Sequence, residues 1–259
     1  MYRQTITEIR QGDILEVDKI KRLPVRNKMR NHRQNDTTPI QRELNNRNAV
    51  NNLRLLMLEN FYRGDFCFTF TYADEPTPTQ AKRYLANFRQ RLLRFYKNLT
   101  VKYITVTEYR PKKQQENKQR LHHHMLLRVE GAKINTKDII KLWGYGWVGI
   151  RIFGGTLEDA QRQANYFVKK KSNCFFTMPH IYKKRWNSSK NLQKPQRFTA
   201  VIHRKNWRKY PQAKKGYYLD NSSLINGCYQ FGEGCEYEYQ FYRLIRIQKR
   251  TLKPPPIRV

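Results

Sequence analysis

Between Lys102 and Tyr109 the chain alternates: Tyr103, Thr105, Thr107 and Tyr109 fall on one side of a strand, Ile104, Val106 and Glu108 on the other. Residues 121–127, Leu-His-His-His-Met-Leu-Leu, read as a second strand, with His122 and His124 on one side and Leu121, His123, Met125 and Leu127 on the other. Only a polar connector, Arg110 to Arg120, separates the two, so they are expected to pair as a hairpin-like unit. Phe66 to Tyr72 reads as a further strand by its aromatic and Thr content, ended by Ala73-Asp74-Glu75-Pro76. A long helix capped by Thr79 follows to Lys97, with Ala81, Tyr84, Leu85, Phe88, Leu92 and Phe95 on one face. Later come a short helix (Thr136 to Trp143), a Gly-Tyr-Gly turn, a strand from Trp147 to Phe153 and a helix from Thr156 to about Lys171. Before them all, a helix runs from Thr38 through Glu59 with Leu44, Val50, Leu53, Leu56 and Met57 broadly on one face.

Strand, helix, strand, strand, helix, strand, helix is the order of an α+β fold, an antiparallel sheet with helices packed on one face and the site on the other. The expected organisation is a basic N-terminal arm and helix (1–60), a catalytic domain (61–172) and a basic, aromatic C-terminal region (173–259). Residues 1–37 carry charge with little periodicity and read as an arm. Two or three strands are expected between Tyr217 and Gln248, and the tail Lys253-Pro254-Pro255-Pro256 should be extended.

Charge narrows the function. The 52 Lys and Arg against 20 Asp and Glu give a formal charge of +32, spread along the chain, which calls for a polyanionic partner. Aromatic residues make up 13% and interleave with the basic ones, as in Tyr182-Lys183-Lys184-Arg185-Trp186. Rings that stack on bases beside cations that meet phosphates suit single-stranded nucleic acid, although many rings must also build the core. With no apolar run long enough to span a membrane and no signal peptide at Met1-Tyr2-Arg3-Gln4, a cytoplasmic location is expected. Cys67, Cys174, Cys228 and Cys235 have no paired spacing and read as packing residues or inert thiols.

Glu108 breaks an otherwise apolar strand face. It is either a strand-edge carboxylate paired to a Lys or Arg, or the third ligand beside His122 and His124 of a two-His-one-carboxylate metal centre with open positions. Mixed nitrogen and oxygen donors suit Mn²⁺, and Mg²⁺ is the abundant alternative. On the last core helix Tyr166 lies opposite the stripe of Leu157, Ala160, Ala164, Phe167 and Val168, among Arg162, Lys169 and Lys170. Cations there would favour the phenolate, a nucleophile toward phosphodiesters, although Tyr-x-x-Lys is a weak signal in a chain with 17 Tyr.

Together, Phe68-Thr69-Phe70-Thr71-Tyr72, the histidine run and Asn165-Tyr166-Phe167-Val168-Lys169-Lys170 resemble, in order and spacing, the three motifs of HUH endonucleases. The chain is most similar to the rolling-circle replication initiators of bacterial plasmids and phages, over roughly residues 60–195. Leu142-Trp143-Gly144-Tyr145-Gly146 and Arg185-Trp186-Asn187-Ser188-Ser189-Lys190 are part of the likeness. The middle position of the second motif, usually apolar, is His123 here; alternation assigns the metal to His122 and His124. The resemblance implies a ferredoxin-like palm and a divalent metal that polarises the scissile phosphate. It also implies that Tyr166 attacks that phosphate with Lys169 neutralising charge, leaving a 5′-phosphotyrosyl link and a free 3′-OH before strands are rejoined. Arg162, Lys170, Lys183, Lys184, Arg185 and Lys190 would contact DNA. Single-stranded and origin DNA, host helicase and polymerase are the implied partners. A second tyrosine four residues after the first would be Lys170, so a single-tyrosine enzyme is expected, and closure would need a second protomer or another nucleophile. Conjugative relaxases usually place the nucleophile before the histidines, and single-strand transposases are usually shorter. A non-catalytic nucleic-acid binder is the remaining alternative.

Overall fold

The computed structural model describes residues 1–21, 39–112, 115–169, 173–230 and 236–247. In chain order the elements are β1 (Tyr2–Ile9), β2 (Ile14–Lys21), α1 (Pro39–Asn60), β3 (Phe66–Phe70), α2 (Pro78–Phe95), β4 (Thr100–Lys112), β5 (Gln115–Glu130), α3 (Thr136–Trp143), β6 (Val148–Ile152) and α4 (Leu157–Phe167). After them come α5 (Cys174–Thr177), β7 (Asn187–Ser188), β8 (Gln196–Ile202), β9 (Tyr217–Gln230) and β10 (Glu236–Arg246). They form two units, Asn35–Lys194 and Met1–Gln34 with Pro195–Val259.

The Asn35–Lys194 unit is α+β, built on an antiparallel sheet of order β6-β3-β5-β4-β7. Alternation along β3 and β5 sends Phe68, Phe70, Leu121, Met125 and Leu127 to one face, where Ala81, Leu85, Phe88 and Leu92 of α2 and Ile139 and Trp143 of α3 complete the core. Trp143 is fully buried, and its indole N–H donates to the Thr71 carbonyl at 2.9 Å, so its polar edge is satisfied inside the core. Helix α2 starts two residues earlier than the Thr79 cap expected. Thr77 accepts from the Gln80 amide while the Gln80 side chain accepts from the Thr77 amide, a reciprocal capping box. Phe95, placed on the apolar stripe from spacing, is 52% exposed. Helix α3 matches its expected span and stops at Gly144, whose left-handed φ of 66° spares the chain a Cβ clash. The connector joins the expected pairing, since β4 continues to Lys112 and β5 begins at Gln115.

The second face is also closed. Ile104, Val106 and Leu126 are buried, α1 and α4 pack together, and Phe167 at the end of α4 reaches His124 with ring centroids 6.0 Å apart. Helix α4 is capped by Thr156 as expected, but it ends at Phe167 rather than near Lys171.

The other unit holds an antiparallel sheet of order β8-β1-β2-β10-β9. Residues 2–21, expected to lie in an arm, instead form β1 and β2, paired with β8 and β10 from the far end of the chain. Leu15, Val17, Tyr242 and Leu244 form its small core, and the buried Lys19 ammonium donates to Gln240 Oε1 at 2.9 Å. The strands expected after Tyr217 are β9 and β10. The basic stretch 26–33, Cys235 and the proline tail lie outside the described residues. Among those described, no helix is long and apolar enough to cross a membrane.

Candidate active site

Pairing of β4 with β5 sets Glu108 directly opposite His122 and Val106 opposite His124, so Glu108, His122 and His124 share a face. His123 projects to the other face, where it is fully buried. There its Nε2 and Nδ1 meet the Tyr72 and Thr107 hydroxyls at 2.6 and 3.0 Å. Burial, reinforced by its two neighbouring histidines, pulls the His123 pKa down to about 3. It is a neutral, structural histidine.

On the site face the His124 Nε2 and Glu108 Oε2 atoms stand 2.6 Å apart, both side chains almost fully buried. The Tyr166 hydroxyl donates to the same Glu108 oxygen at 3.1 Å and lies 3.3 Å from His124 Nε2. Thr69 on β3, paired with His124, holds Nδ1 at 3.1 Å. When Nε2–H donates to Glu108, the Thr69 hydroxyl donates to Nδ1. When Nε2 is stripped of its proton, the same hydroxyl accepts from Nδ1–H. Tyr166 therefore points into the site, against a carboxylate and an imidazole, and not away from the helix's packed side among cations as its helical position suggested.

The donor set fits a divalent metal in type and in tautomer. His122 places Nδ1 3.0 Å from the Arg120 carbonyl, which only accepts, so Nδ1 carries the proton and Nε2 keeps a lone pair. His124 can adopt the same form through Thr69, and Glu108 supplies the oxygen. Among the described residues no three His, Cys, Asp or Glu side chains are already clustered as ligands, and Glu108 and His124 bond to each other.

The other expected residues are more dispersed. Lys169 lies past the end of α4, beyond the Val168 cap, so it does not share a helical face with Tyr166, and its side chain is exposed. Arg162, one turn before Tyr166, is paired with Asp159 at 3.2 Å. Lys183, Lys184 and Lys190 are exposed, whereas Arg185 lies over the Phe175 and Phe176 rings and donates to the Asn45 carbonyl. Lys170 lies outside the described residues.

Three contributors escaped the reading of the sequence. Thr69 sits inside the first motif, but nothing local shows that it orients His124. Asn173 bridges β4 at Glu108 and ties Nδ2 to the Phe167 and Arg185 carbonyls at 2.7 and 3.0 Å, fixing the end of the helix that carries Tyr166. Arg151 on β6 stands opposite Cys67 and lines, with Thr69, His124, Arg162 and Tyr166, a cavity of about 610 Å³. Its signal was the alternation of β6, which is informative only once the neighbour of β6 is known.

No curated protein and no solved structure matches the chain. Residues 65–174, from β3 to the start of α5 and including Glu108, the histidine run and Tyr166, match the model of a family described as replication-associated protein, of the ORF2 type; this segment is a replication-associated domain of that family.

Proposed function

We propose that the protein is a rolling-circle replication initiator that nicks single-stranded origin DNA, with Tyr166 as nucleophile. The observation that carries this reading is the Tyr166 hydroxyl, directed at the Glu108–His124 pair inside a replication-associated domain. The phenolic oxygen attacks the scissile phosphorus, the bond from phosphorus to the 3′ oxygen breaks, and the 3′ oxygen leaves as a hydroxyl. The tyrosine proton already points at Glu108 Oε2, so the chain's own carboxylate orients the hydroxyl for attack. Glu108, His122 and His124 would hold Mn²⁺ or Mg²⁺, which when bound supplies a Lewis acid for a phosphate oxygen. Lys169, exposed just beyond α4, and the Lys183, Lys184 and Lys190 side chains add positive charge for the DNA strand. The reading also places the protein in the cytoplasm beside the host helicase and polymerase. Rejoining by this single-tyrosine enzyme requires a second protomer or another nucleophile.

The test is to incubate the protein with single-stranded DNA from its own replicon and Mn²⁺ or Mg²⁺ and to resolve a protein–DNA adduct on a denaturing gel. An adduct that persists unchanged in Tyr166→Phe excludes this nucleophile. Sequence-independent binding with no cleavage across the replicon would favour a non-catalytic nucleic-acid binder.

A further inference from the structure

The cavity beside Tyr166 has a constructed wall that the nicking step does not use. A buried carboxylate, Asp159, holds two guanidiniums through one oxygen, Arg151 at 3.3 Å and Arg162 at 3.2 Å, while its other oxygen accepts from the Gly154 amide at 2.6 Å. Arg151 is steadied further by Gln163 Oε1 and the Cys67 sulfur. Arg162 stays 76% exposed with a single bond to Asp159, so most of its donors face outward. Two guanidiniums against one carboxylate leave this wall net positive. At its other end the cavity reaches Thr69, His124 and Tyr166.

The space itself comes from Gly149. Its partner across the ladder is Thr69, so a side chain there would project onto the site face. A Cβ at Gly149 would meet Thr69 at an ordinary 3.5 Å, so packing leaves room for a side chain that the sequence does not supply. A cavity of about 610 Å³ is of the size that takes a small ligand.

Resting on the nicking reading, we propose that this cavity is the subsite for one nucleotide flanking the scissile phosphate, with Arg162 contacting its phosphate and its base lying in the space left by Gly149. The subsite makes the enzyme read that nucleotide by shape and charge before Tyr166 reacts.

The experiment measures binding, not cleavage, so it is decided separately from the nucleophile. Fluorescein-labelled oligonucleotides tiling the single strand of the protein's own replicon are titrated with the full chain by anisotropy, and the tightest tile is walked with abasic substitutions. One abasic position should weaken binding about tenfold, the scale of a single lost base contact. Gly149→Val, which fills the space, and Arg162→Ala should each bind the intact tile about tenfold more weakly and no longer respond to that position. The proposal is overturned if no abasic position matters, or if both variants keep the parent's affinity and abasic profile. Should either variant fail to fold, as read by circular dichroism, the other decides. An adduct assay on the same preparations reports on Tyr166 alone.

Discussion

The two faces of β5 carry neighbouring histidines with opposite roles. His123 is sealed between Tyr72 and Thr107, kept neutral by burial, and serves packing. His124, one residue on, is nearly as buried, yet its Nε2 meets a carboxylate and a tyrosine hydroxyl at a cavity. Burial alone therefore does not distinguish a structural histidine from a reactive one. What distinguishes them is whether the partners are fixed hydroxyls in a closed core, or an acid and a nucleophile beside space for a substrate.

If that contrast is right, substitutions on the two faces should separate chemistry from stability. The largest effect belongs to the site face: His124→Ala should abolish adduct formation, a loss of about a thousandfold or more, equivalent to about 4 kcal/mol, and His122→Ala should act in the same direction. On the core face, Trp143→Ala should cost about 3–5 kcal/mol in urea unfolding. His123→Gln should cost less, about 1–3 kcal/mol at neutral pH, through the lost bonds to Tyr72 and Thr107. The adduct yield per folded molecule should remain near that of the parent chain.

His123 also predicts a pH dependence. Its folded pKa of about 3 lies below the unfolded value near 6.5. The unfolded chain thus takes up a proton that the folded chain refuses, and stability falls as pH drops from about 6.5 toward 3, by up to about 1.4 kcal/mol for each unit. His123→Gln should flatten that part of the unfolding profile, and an unchanged slope would contradict the burial argument. The smallest effect is expected at Lys169, exposed beyond the helix. Lys169→Gln should slow adduct formation only a few-fold, about 0.5–1 kcal/mol, and the deficit should shrink in high salt.

The face assignments were legible in the sequence because period-two alternation is local. Glu108, His122 and His124 follow from it directly, as does the turning away of His123. The setting of Tyr166 was not legible, because it depends on α4 crossing the second face of the sheet and on Asn173 fixing its end, neither of which leaves a periodic trace. The end of α4 was overrun because Val168 caps it without a glycine. The strands β1 and β2 were missed for a different reason: their partners β8 and β10 lie nearly two hundred residues away, and a charged, weakly periodic segment shows nothing local that reveals such pairing. The start of α2 was readable in principle, since Thr77 and Gln80 have capping-box spacing.

The central claim is that Tyr166 is the residue that becomes joined to DNA. The most direct measurement is peptide mass spectrometry of the wild-type adduct after nuclease trimming. The account predicts a nucleotide remnant on the peptide containing Tyr166 and nowhere else; a remnant on any other tyrosine, with Tyr166 unmodified, would contradict it.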